Sequence, residues 1–119
     1  MEVCYKNNMG KNPILKENEW AALSALKEQV SKKFNLVDFR LFGSKARGEG
    51  TSESDVDVMI EIEGCDYETK SQVYDMVFDI NLENDTFIST TIFSKKEIEE
   101  GPMSESPIYK AIQREGVPV

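Results

Sequence analysis

Apolar positions recur along this chain with two periods, and the points where the period changes divide it into elements. Trp20, Leu23, Leu26, Val30 and Phe34 follow at intervals of three and four, the stripe of an amphipathic helix. This predicts a helix over roughly Glu17 to Phe34, its clearest start signal Asn18, with Trp20 as a packing residue. Asn35 ends it, and Val37 to Phe42 reads as a strand that stops abruptly at Gly43-Ser44. From Asp55 to Glu63 the pattern alternates. Val56, Val58, Ile60 and Ile62 form one face, and Asp55, Asp57, Met59, Glu61 and Glu63 the other, the period of a half-buried strand. After Gly64, Asp66 or Thr69 is expected to cap a helix running to about Asn84. Tyr67, Tyr74, Val77, Phe78 and Leu82 give its apolar stripe, with Val73 and Ile80 widening it and Tyr74 expected in the core. Asp85 to Phe93, rich in β-branched and aromatic residues, predicts a third strand. Ser94 and Glu97 form a capping box for a short helix, Lys95 to Glu100, which Gly101-Pro102 breaks. Pro107 to Glu115 predicts the last helix, stopped by Gly116, and Val117 to Val119 a docked tail. Met1 to Lys11 has no periodicity and is expected to be a loosely held tail, with Asn12-Pro13 capping a first turn.

The order helix, strand, strand, helix, strand, helix, helix predicts an α+β fold, a small mixed β-sheet with helices packed on one face. The 119 residues favour a single domain, 1-119, with one modest core. No run of eighteen apolar residues occurs, so no membrane span is expected, and Met1 to Lys11 lacks the apolar core of a secretion signal. Cys4 and Cys65 are far apart, which points to a reducing, cytoplasmic setting and no zinc site.

Charge narrows the function classes. The net charge of −8 argues against a broad nucleic-acid-binding surface, because phosphate repels an acidic chain, and it suits a basic protein partner. No histidine is present, which excludes Ser-His-Asp and Cys-His catalysis and most transition-metal sites. A general base has to be a carboxylate, Lys or Tyr.

Candidate chemistry concentrates between the first two strands. Asp55 and Asp57 lie two apart, so a strand points both carboxylates the same way at its entrance. Two such charges repel unless a cation sits between them, and hard oxygen ligands suit Mg²⁺, which takes one or two carboxylates and completes its shell with water and substrate phosphate. Gly43 lets backbone approach a ligand, and a helical turn starting at Ser44 offers amides and a positive dipole end to phosphate. Lys45 and Arg47 add cationic donors, Arg47 with the planar fork for bidentate contact. Ser54 stands where it could brace Asp55. A phosphate cradle and metal carboxylates on neighbouring strands are the parts a nucleoside triphosphate needs.

Gly-Ser, the ten residues Lys45 to Ser54, then Asp-Val-Asp resembles the signature of the DNA polymerase beta-like nucleotidyltransferase superfamily. Gly-Ser-Lys-Ala-Arg-Gly followed by Ser-Asp-Val-Asp looks like its small branch, the minimal nucleotidyltransferases. The resemblance implies the same α/β nucleotidyltransferase core and transfer of AMP from Mg²⁺–ATP to a hydroxyl, with a protein as acceptor. It implies Asp55 and Asp57 as metal carboxylates and Gly43, Ser44, Lys45, Arg47 and Ser54 around the nucleotide. Relatives of this branch are often encoded beside a HEPN-type protein as a toxin–antitoxin pair, so a HEPN-type partner is expected, and an oligomer is left open. Enzymes of the superfamily usually carry a third catalytic carboxylate on the strand after the Asp-x-Asp strand. Here that strand's interior holds Phe87, Ser89, Thr90 and Thr91. Asp85 at its start is the best substitute, with Phe87 at or beside the usual acid position. Glu61 shares the face of Asp57 but lies about 13 Å farther along the strand. A fold kept for binding a partner, with catalysis reduced or gone, is the alternative reading.

Overall fold

A computed structural model describes residues 2–4, 14–49 and 55–119. Asn12-Pro13 and the expected brace at Ser54 fall outside them. Two short strands, β1 (Glu2–Cys4) and β2 (Ile14–Lys16), pair antiparallel, so part of the expected tail is ordered into a hairpin arm. Helix α1 (Glu17–Lys33) follows directly, and β3 (Asn35–Phe42) leads into α2 (Gly43–Ala46), a single helical turn. Then come β4 (Val56–Glu63), α3 (Tyr67–Asn84), β5 (Ile88–Ser94), α4 (Lys95–Glu100), a 3₁₀ turn at Pro102–Glu105, α5 (Pro107–Glu115) and β6 (Val117–Pro118). The main sheet has the order β5-β4-β3-β6, with β4 and β5 parallel and the other pairs antiparallel. Among the described residues no helix is long and apolar enough to cross a membrane.

The caps act as their sequence signals predict. Asp66 accepts from the Thr69 amide at 2.8 Å, and Ser94 and Glu97 close their box at 3.0 and 3.2 Å. Alternation sets the sheet's inner face: Val56, Val58, Ile60 and Ile62 of β4 with Phe39 and Leu41 of β3 are buried against α1 and α3. Leu23, Leu26 and Val30 of α1 are fully buried there, each contributing roughly 1.5–3 kcal/mol of transfer free energy. Trp20 packs at the edge of the same cluster.

The mixed sheet carries its long helices on one face, as expected, but a second, smaller layer covers the other. Met59, Phe93 and Ile112 are buried there with Phe42, Ile98, Met103 and Tyr109 around them. Phe93 and Tyr109 meet edge to face at 5.7 Å. The alternation of β4 turns Met59 away from the main core, but it does not show that the C-terminal helices return to cover it.

Helix α3 departs most from expectation. Its buried residues are Thr69, Val73, Val77 and Ile80. Tyr67, Tyr74, Phe78 and Leu82, expected in the core, are 87, 51, 65 and 69 % exposed. The helix carries apolar residues on two sectors, both at helical spacing, and spacing does not say which one meets the sheet. The third strand also starts later than expected. Asp85 is the left-handed C-cap of α3, with φ 54°, and Asn18 donates its side-chain amide to the Asn84 and Asp85 carbonyls at 2.9 and 3.2 Å. Asn81 accepts from the Ile88 amide at 2.9 Å and donates to the Ile88 carbonyl at 3.2 Å, which pins the turn onto the start of β5.

Candidate functional site

The site forms where β3 hands over to α2. Phe42, last on β3, pairs with Asp57 on β4, so the turn that follows lies against the Asp57 side chain. Gly43 has φ +78°, a left-handed backbone that favours glycine. A Cβ there would run into the Asp57 carboxylate, whose Cγ lies 3.3 Å from that position. Glycine is therefore required twice, by the backbone and by the approach of a carboxylate. Alanine at Gly43 is expected to cost about 1–2 kcal/mol for the backbone alone, with more for the displaced carboxylate. Denaturant unfolding of the variant beside the parent checks both parts, the second as any loss beyond the backbone cost.

The turn is four residues long, and among the described residues no side chain caps its N-terminus. Its first amides have no acceptor within the helix, the arrangement that receives an anion. The Arg47 amide donates to the Gly43 carbonyl and the Glu49 amide to the Ser44 carbonyl, at 3.2 and 2.9 Å, which closes the turn on its far side.

The two basic residues part company. Lys45 is buried, its ammonium 3.0 and 2.8 Å from the two carboxylate oxygens of Glu19 on α1. Where the sequence suggests a phosphate donor, the Lys45 side chain ties α2 to α1. The side chain of Arg47 is 39 % exposed, paired with Glu49 at 2.6 Å and with Glu115 of α5 at 3.1 Å. Hydrogen bonding to Glu49, then to Glu115, raises its pKa and keeps it charged. Arg47 also acts electrostatically on Asp57. Neither Glu19 nor Glu115 was visible as a site neighbour in the sequence, because each lies in a different element from the cation it holds.

Asp57 is half-buried and Asp55 exposed. Burial pushes the Asp57 carboxyl above the ordinary carboxylate range, the Asp55 charge adds to the push, and Arg47 opposes it. Asp55 immediately precedes β4 and its charge acts on Asp57, the second residue of that strand. Asp85 is the C-cap of α3, beside Phe78, Leu82 and Phe87, and precedes the start of β5 by three residues. Among the described residues no group of three Cys, Asp or Glu side chains is placed to share a metal ion. The parallel register sets Ser89 opposite Asp57, so the neighbouring strand presents a hydroxyl there, and Phe87 precedes it. Counting by twos from Phe87 would have found Ser89, but the register of β4 and β5 is not written in either strand. Glu61 is buried farther along β4 and titrates high because of that burial, then because of Asp38 and Glu99.

Two carboxylates at one strand entrance fit a hard divalent cation that takes its remaining ligands from water and phosphate, not from an all-protein cage. The raised Asp57 carboxyl marks the charge such a cation would offset.

Comparison with known proteins gives consistent matches. Residues 23–112 match the nucleotidyltransferase domain family. A Methanocaldococcus jannaschii protein, provisionally named a protein adenylyltransferase, is 37% identical over 62 residues. That alignment takes in 46% of this chain and 62% of the relative, less than two thirds of its length. A solved structure provisionally described as a minimal nucleotidyltransferase superposes with TM-score 0.58 at 20% identity, covering 84% of this chain and 91% of that one. A Sulfolobus solfataricus structure, provisionally described as a nucleotidyltransferase, gives 0.48 at 21% identity, covering 87% and 86%.

Proposed function

Because the chain belongs to the nucleotidyltransferase domain family, we propose that it transfers AMP from ATP to a hydroxyl of a partner protein, with Mg²⁺ as cofactor. The observation that carries the reading is the close approach of the Gly43 turn to the Asp57 carboxylate, which supports amides suited to an anion acting beside a carboxylate suited to a metal. The relative named for protein adenylylation supports the acceptor class.

In this reading Asp55 and Asp57 hold the cation, and the amides of Ser44 and its neighbours receive the phosphates. Arg47 exchanges a carboxylate for a phosphate oxygen, since its fork suits both. Mg²⁺ held by Asp55 and Asp57 would supply charge neutralisation to the triphosphate. A bond forms from the acceptor oxygen to the α-phosphorus, the bond to the β-phosphate bridge breaks, pyrophosphate leaves, and the hydroxyl proton passes to solvent. The chain's contribution is positioning, which is most of the catalysis in this chemistry. The expected acceptor is a HEPN-type protein encoded beside this one, as the sequence resemblance implies.

Ser89 opposite Asp57 supports a second reading, in which the fold neutralises such a partner by binding it with little or no transfer. Incubation with Mg²⁺ and ATP labelled at the α-phosphate, with the neighbour-encoded protein present, separates the two. Label on the partner, absent with Asp57→Ala, is the expected result. A stable complex that never acquires label supports the binding module and overturns the transfer reading.

A further inference from the structure

The exposed apolar residues of α3 form one continuous sector. Tyr67, Tyr74, Phe78 and Leu82 follow at intervals of seven, four and four, which places them on one side of the helix, opposite the buried Val73, Val77 and Ile80. Phe87, 71 % exposed, extends this ridge past the helix end. There Phe78, Leu82 and Phe87 border a groove of about 380 Å³ together with Asn81, Asp85 and Thr86. A run of large apolar side chains left in water marks an interaction surface.

The flank of the ridge says what fits it. Glu68, Asp75, Asp79 and Glu83 are all exposed and each follows a ridge residue by one position, so they form a second stripe along one side of the first. The opposite flank carries Asn81 and Lys70, the latter paired with Glu97 at 3.1 Å. We propose that this face of α3 docks an amphipathic helix of another protein, one whose apolar stripe is bordered by Lys and Arg. The partner's apolar residues cover Tyr74, Phe78 and Leu82, one of them enters the groove beside Phe87, and its cations meet the four carboxylates. A second copy of this chain is the wrong occupant. It would bring four more carboxylates to the same face, between chains that each carry a net charge of −8. The ridge runs along α3 and reaches the aspartate strand at Phe87, whose carbonyl accepts from the Val56 amide at 2.9 Å, and its occupancy does not depend on the nucleotide reading.

Two synthetic helical peptides of about eighteen residues test this, with the same leucine stripe but lysine on one flank in the first and glutamate there in the second. Binding is followed by fluorescence anisotropy without nucleotide or Mg²⁺, so the outcome is independent of the transfer reaction. The lysine peptide is expected to bind, with Phe78→Ser and Leu82→Ser each weakening it by about tenfold or more, as buried interface anchors do. Asp75→Lys with Asp79→Lys should shift preference toward the glutamate peptide. These side chains are exposed, so the melting temperature should stay within a few degrees of the parent's, a control for folding. Equal binding of both peptides, or binding that ignores Phe78 and Leu82, overturns the proposal. So does a dimer, seen by sedimentation, that Phe78→Ser dissociates, since the occupant is then a second copy.

Discussion

Asparagine at Asp57 is expected to reduce nucleotide transfer by about a thousandfold while making the nucleotide-free protein more stable at neutral pH. The two effects have one origin. In the native fold this carboxylate is partly desolvated and faces Asp55, with Arg47 only partly compensating, so its pKa is raised. The folded state therefore binds its proton more tightly than the unfolded chain does. Between the ordinary aspartate range and the raised native value, stability falls as pH rises, and above that window the full penalty remains. Asparagine removes the charge and hence the penalty. The gain is on the order of 1 kcal/mol or less once solvent screening is allowed for, and it should vanish at a pH below the ordinary aspartate range. In the proposed reaction the same charge would help to hold the cation, and a thousandfold rate loss corresponds to about 4 kcal/mol of transition-state stabilisation. Thermal melts in chelator at neutral and acidic pH, beside the α-phosphate labelling assay, measure both effects. Unchanged transfer in the variant would remove Asp57 from the site, and an unchanged neutral-pH melt would mean that the carboxylate is not strained.

The largest loss of stability is expected from methionine at Lys45. Its ammonium and the Glu19 carboxylate are both buried, with side chains 3 and 6 % exposed. Removing the cation leaves a buried carboxylate without its counter-charge, which costs about 3–5 kcal/mol. A domain's whole stability is about 5–15 kcal/mol, so the variant should unfold at a much lower denaturant concentration. The double variant Glu19→Leu with Lys45→Met should recover most of the loss, because a buried pair and an apolar substitute are close to break-even. Recovery falls short by about 1 kcal/mol, since the Glu19 carboxylate also accepts from the Lys16 amide at 2.9 Å and so caps α1. Urea unfolding of the three variants reads this directly. A single variant as stable as the parent would mean that the pair is not dry. The pair anchors α2 to α1.

Much of the fold follows from short-range rules. The helical stripe of α1, the alternation of β4 and the caps at Asp66 and Ser94 each depend on residues within one or two turns of each other, and the structure has them where the pattern places them. The expectation for Glu2 to Cys4 failed for a different reason. A three-residue strand shows no period of its own, and it is made by its partner Ile14–Lys16 across the hairpin.

What the sequence by itself determined is the local chemistry of the site. A glycine is needed where β3 ends, two carboxylates leave one strand on one side, and a basic turn lies between the strands. Period two and positive φ are properties of adjacent residues, so they can be read from a single stretch. Only the tertiary structure decided that Lys45 turns inward to Glu19, that Glu115 reaches Arg47, that Ser89 stands opposite Asp57, and that Asp85 belongs to the end of α3. It also chose which apolar sector of α3 is covered and which is left in water. Periodicity orients side chains relative to their own element, whereas these outcomes depend on register and packing between elements far apart in the chain.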